Sequence, residues 1–131
     1  MPLPIAAIAA AAVFACPLPP EGGRSYAMPT LPMPTVCMVA HPEPGDLDHE
    51  LGHVFDYTRM TDAARIRFMA IMGLRGPWRR EPNSPHEQFA EGFRMCARNL
   101  RRPDRSWWGY EYHPTRAQHR AVCRLLERAA G

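Results

Sequence analysis

The stretch Asp48-His49-Glu50-Leu51-Gly52-His53-Val54-Phe55-Asp56 carries residue types at a spacing that suits hydrolytic metal chemistry. On a helix, His49 and His53 stand four residues apart, so both imidazoles project from one face and can grip one Zn2+. Glu50 follows the first histidine. From there its carboxylate can act as general base, taking the proton of a metal-activated water as that water attacks a carbonyl carbon. Leu51, Val54 and Phe55 make the same helix a core element. Two histidines and a carboxylate turned inward from a core helix need a partner, and a cation is the natural one.

Such a site needs a third protein donor. A histidine six residues after the second one, with glycine midway, would require Gly at 56 and His at 59. The chain has Asp56 and Arg59, which excludes that arrangement. The other solution is a carboxylate from a second helix. Pro85-His86-Glu87-Gln88-Phe89-Ala90-Glu91-Gly92-Phe93-Arg94 offers Glu87 and Glu91 one turn apart. Gly92 beside them would let that helix approach another closely. The competing reading puts Glu87 in a capping box with Ser84 and pairs Glu91 with Arg94 or Arg98. His86 is a weaker alternative ligand and reads more readily as a solvent-facing residue.

HELGHVFD followed by EQFAEGFR resembles the active-site core of the lethal-factor-like zinc metallopeptidases. It equally resembles small HExxH proteins of actinobacteria and their phages. The resemblance covers residues 47–58 and 84–96. It implies a gluzincin-type zincin in which Glu87 binds the zinc, while Glu91 supports a metal-binding histidine from behind and Asp56 matches a further supporting position. It also implies a tyrosine near the oxyanion, which no motif places. Tyr110, Tyr112 and His113, in an aromatic loop, are the candidates. Packing of Trp107, Trp108 and both tyrosines onto the core is the competing reading. His41 and His119 read as ordinary surface or cap residues.

These groups must be positioned by helices. The residues from Gly45-Asp46 to about 59 have helical apolar spacing through Leu47, Leu51, Val54, Phe55 and Thr58. Thr61 caps a second helix, Asp62 to Met72, which Gly73 ends. Ser84, Pro85 and Glu87 open a third, running to Arg101-Arg102-Pro103. Thr115 and Gln118 form a capping box for a last helix reaching about Ala129. Ten of the 15 prolines lie in the first 44 residues, which disfavours long helices there. Within that part, Val36 to Val39 reads as an apolar strand beside the histidine helix, where an edge strand would pair with extended substrate. The expected fold is therefore α+β: a minimal zincin-like domain, mostly helical, with a small N-terminal sheet. Residues 1–34 form an Ala/Pro-rich segment that reads as a signal or an extended arm, and 35–131 form the metallopeptidase domain.

With 131 residues, one core is the natural organisation. Residues 3–16 are apolar but too short to span a bilayer. They resemble the core of a secretory signal, yet Met1-Pro2 supplies no basic residue, so a secreted or surface location and a cytoplasmic or virion one stay equally open. All 16 basic residues are Arg, the net charge is only +3, and acidic residues interleave with Arg94 to Arg105. No nucleic-acid partner is expected. Cys16, Cys37, Cys96 and Cys123 form no CxxC pair, which argues against a zinc ribbon. A disulfide between Cys96 and Cys123 would staple the last two helices, and free buried thiols are the alternative. The expected function is zinc-dependent hydrolysis of peptide bonds in a peptide or protein substrate, with His49, His53 and Glu87 on Zn2+ and Glu50 as base. The alternative is a non-catalytic, zinc-stabilised phage or surface module. A repressor-cleaving phage peptidase is a third reading. Oligomeric state is left open.

Overall fold

The structure is a computed structural model that describes the backbone of residues 12–15 and, with side chains, residues 25–30, 33–39, 45–79, 84–97 and 111–131. It is a small α+β domain, mostly helical, with a small sheet near the N-terminus.

Among the described residues the sheet has three strands, β1 (Ala12–Ala15), β2 (Tyr26–Met28) and β3 (Thr35–Met38), in the order β1-β3-β2. β1 runs parallel to β3, with Val13 opposite Val36, and β2 runs antiparallel, with Ala27 opposite Val36. The strand read from Val36 to Val39 is thus the centre of the sheet and not its edge. β2 is the edge strand that packs on the histidine helix. Both β1 and β2 come from the segment 1–34 that the sequence set apart as a signal or arm. Val36 and Cys37 are buried, while Tyr26 and Met28 on β2 are exposed.

The helices are α1 (Asp46–Arg59), α2 (Asp62–Met72), α3 (Pro85–Ala97) and α4 (Arg116–Ala130). Local chemistry sets their ends. α1 begins at Gly45, whose φ of 90° suits a residue without a Cβ, and has Asp46 and Asp48 in its first turn and Arg59 in its last. Thr61 Oγ1 accepts the Ala64 N–H at 3.1 Å, and Gly73 closes α2 in the left-handed region. Thr115 and Gln118 form the reciprocal capping box of α4. The competing capping box at Ser84 is not made by side chains: Ser84 Oγ bonds His86 Nδ1, and the Glu87 carboxylate lies against three histidines.

Among the described elements α1 and α3 make the most extensive contact, and α4 packs on both α2 and α3. Phe55, Phe68, Phe89, Phe93, Val122 and Leu126 form the centre of the core. Phe68 meets Phe89 edge-on at 5.4 Å, and Phe55 meets Phe93 at 5.3 Å. Burying each such side chain contributes roughly 2–3 kcal/mol. Leu47, expected on the apolar stripe of α1, faces outward at 41% exposure.

The close approach of α1 and α3 occurs at Gly52. A Cβ there would lie 2.9 Å from Ala90 Cα and 3.0 Å from its carbonyl oxygen. Gly92, expected to serve this purpose, instead makes room for the Tyr112 ring, which a Cβ would meet at 3.2 Å. Sulfurs of Cys96 and Cys123 form a disulfide that joins α3 to α4, and Cys37 is disulfide-bonded too. Cys16 lies outside the described residues. None of the described helices is long and apolar enough to cross a membrane.

Candidate metal centre

α3 is buried on nearly all sides, yet it carries His86, Gln88, Glu91 and Arg94. α1 likewise buries His49, Glu50, His53 and Asp56. Polar groups placed this deep must be paired. Most of them meet across the α1–α3 seam that Gly52 holds tight.

At the seam, His49, His53 and Glu87 form a group that could hold a metal ion, their donor atoms all within 4.8 Å of one another. His49 Nε2 is 3.0 Å from Glu87 Oε2, and His53 Nε2 is 3.3 Å from Glu87 Oε1. The i, i+4 spacing turns the two rings to one side, with centroids 4.9 Å apart. On its far side, His49 Nδ1 is 2.7 Å from Glu91 Oε1. A donor proton on Nδ1 leaves the Nε2 lone pair directed at Glu87, the tautomer a metal ligand requires. Arg94 completes the chain, its Nη2 donating to Glu91 Oε2 at 3.1 Å. Glu91 thus touches both His49 and Arg94. Arg94 also lies over Gly45, where a Cβ would come within 2.7 Å of Nη1.

The electrostatics show what the group lacks. Burial pulls the His49 pKa down, but the hydrogen bonds of Glu87 and Glu91 and the charge of Glu50 outweigh it and raise it from 6.5 to about 9. Burial lowers the pKa of His53, Glu87 notwithstanding. For Glu87, burial would raise the pKa, yet the three histidine hydrogen bonds hold it well below the usual carboxylate range. Glu50 is pushed up to about 7 by burial, against the pull of His49. In the protein alone, a proton on His49 supplies the positive charge these acceptors need. Glu50 Oε2 and His53 Nδ1 are buried with no hydrogen-bond partner among the described residues. Such atoms are costly unless something else satisfies them. Two imidazoles and one carboxylate converging in this seam, with a further carboxylate oxygen unsatisfied beside them, fit a divalent cation.

Several residues fall elsewhere than expected. Asp56 touches neither histidine through a hydrogen bond. It accepts from Arg65 Nε at 2.7 Å and Trp78 Nε1 at 2.9 Å, and so ties α1 to α2 and to the loop after it. Tyr112 is 2% exposed, and its hydroxyl is 2.9 Å from His119 Nδ1, in the seam between α3 and α4. His113 is exposed, and Tyr110 lies outside the described residues. His119, read as a surface or cap residue, is buried.

Two further residues lie at the site: His86, named only as a weaker alternative ligand, and Tyr57, which the sequence reading missed. His86 is buried, not solvent-facing. Its Nε2 is 3.2 Å from Glu87 Oε1, and its ring centroid is 5.1 Å from that of His53. Tyr57 stacks beside His53, donates to the Ala27 carbonyl of β2 at 3.4 Å, and carries the Arg79 guanidinium over its ring. Its place one turn after His53 was the available signal. His86 had none beyond adjacency to Glu87, because a capping position usually points to solvent.

Comparison of the chain with protein-family models, with curated proteins and with solved structures finds no match.

Proposed function

We propose that the protein is a zinc metallopeptidase of the gluzincin type. The observation that carries this reading is the convergence of His49, His53 and Glu87 donors within 4.8 Å, with the Glu50 carboxylate unsatisfied beside them. A Zn2+ held by those three residues would supply a Lewis acid and lower the pKa of a water molecule. The remaining work falls to the chain. Glu50 would accept a proton from that water and pass it to the leaving amine. Glu91, braced by Arg94, fixes the His49 ring. Edge strand β2, tied to α1 through Tyr57, offers its backbone to an extended peptide. His86, with Nδ1 on Ser84 Oγ and Nε2 3.2 Å from Glu87 Oε1, helps to hold the Glu87 carboxylate.

One observation favours the non-catalytic alternative: Tyr112, one of the three oxyanion candidates, is engaged with His119 instead. Zinc content and peptide cleavage separate the readings. Purified wild type should hold Zn2+ at His49, His53 and Glu87 and cut members of a peptide library. Loss of zinc in both His53→Ala and Glu87→Gln supports the ligand set. Zinc-loaded wild type that cuts no peptide makes the structural module the better reading.

A further inference from the structure

A second set of metal-ligating side chains lies outside the site described above. Cys96 on α3 and His119 and Cys123 on α4 have their donor atoms within 4.8 Å of one another. The two sulfurs are joined in a disulfide, so in this state neither can act as a thiolate ligand. We propose that the cluster has two mutually exclusive states: a disulfide when oxidised, and a Cys2His site for a thiophilic divalent cation such as Zn2+ when reduced.

Three features carry the proposal. His119 and Cys123 are four residues apart on one helix, the same spacing that aligns His49 with His53. His119 Nε2 is 3.7 Å from Cys123 Sγ. A tetrahedral zinc with its usual sulfur and nitrogen bond lengths sets those two atoms about 3.5 Å apart, so little movement is needed. The far side of the His119 ring is already held. Nδ1 is 2.9 Å from the Tyr112 hydroxyl, so an Nδ1–H donated to that oxygen leaves the Nε2 lone pair facing the sulfur. Tyr112 stays protonated, because burial and the nearby Glu91 charge raise its pKa. A disulfide alone requires neither an aligned imidazole nor a buried tyrosine to orient it.

The chemistry balances. Reduction by a dithiol transfers two electrons and two protons to the sulfur–sulfur bond, giving two protein thiols, while the dithiol becomes a disulfide. The sulfurs then part by rotation about their Cα–Cβ bonds, with the Cα atoms 5.5 Å apart. Cation binding releases both thiol protons, and water takes the fourth position.

This proposal does not rest on the His49 site, and one experiment keeps the two apart. Full-length protein carrying Cys16→Ser and Cys37→Ser, so that only this pair of cysteines remains, is titrated with Co2+ before and after reduction by a phosphine. Oxidised protein should bind one ion, without a sulfur-to-cobalt charge-transfer band. Reduced protein should bind a second, with that band. His119→Ala should keep the first ion in the oxidised form and bind the second at least tenfold more weakly when reduced. No ion in the oxidised form but one, with the band, in the reduced form would sustain this proposal while removing the first site. If reduction unfolds the chain, recovery of helical circular dichroism with Co2+, together with the band, supports it. Absence of the band, or reduced His119→Ala binding the second ion like its parent, overturns it.

Discussion

His49 and Glu91, 42 residues apart in the chain, meet at 2.7 Å between Nδ1 and Oε1. That bond fixes which nitrogen of His49 faces Glu87. Replacing Glu91 with Gln should therefore weaken metal binding by about 10–100-fold while leaving all three donors in place. Competition against a chromophoric chelator measures this. Unchanged affinity would mean that Arg94 and the helix packing orient His49 unaided.

Gly52 should be intolerant of any side chain. Alanine normally gains about 1 kcal/mol over glycine inside a helix. Here its Cβ would meet Ala90 backbone atoms at 2.9 and 3.0 Å, which cannot yield without parting α1 from α3. Gly52→Ala should destabilise the protein by about 1–3 kcal/mol and lower metal affinity as well. Gly92→Ala, opposite a ring edge at 3.2 Å, should cost less. Denaturant unfolding of both variants tests the ranking.

Metal binding should follow pH through His49. Its pKa in the metal-free protein is raised to about 9, so the stability that its proton adds is complete below the unfolded value of 6.5 and is lost as pH rises through about 9. A metal must displace the same proton. Apparent affinity should rise about tenfold per pH unit from neutrality towards pH 9, then flatten. Calorimetric titration in buffers of different ionisation enthalpy should find about one proton released per ion at pH 7.

Asp56 should matter to the fold and not to the metal. Its side chain is 1% exposed and pairs with Arg65, which is 24% exposed. Asp56→Ala leaves Arg65 Nε and the Trp78 N–H without their acceptor, although Arg65 keeps Asp62 and the Asp56 carbonyl, at a cost of about 1–3 kcal/mol. Thermal unfolding should show the loss, while metal stoichiometry of the folded fraction stays at one. A metal-free but fully stable variant would return Asp56 to the site.

The parts legible in the sequence are those that local chemistry writes. Thr61 and Thr115 mark helix starts because a cap needs only residues three apart, and Gly73 marks a stop because it alone adopts the left-handed turn cheaply. His49 and His53 declare a shared face for the same reason. Long-range choices were less legible. Strands of three or four residues are too short for alternation to reveal which is central, so β3 was taken for the edge. Gly52 and Gly92 look alike in a helix, and only the neighbour across the seam distinguishes a backbone from a tyrosine ring. Tyr112 could not be assigned to His119 without knowing how α4 lies on α3.

The most direct test of the account is the rate of peptide hydrolysis by zinc-loaded Glu50→Gln relative to zinc-loaded wild type, with bound zinc measured in the same samples. Glu50 is not among the three donors, so the variant should fold and hold as much zinc as wild type. Without the base, hydrolysis should fall by about 10²–10⁴-fold. A variant that holds its zinc and cleaves as fast as wild type would contradict the assignment of Glu50, and with it the proposed mechanism.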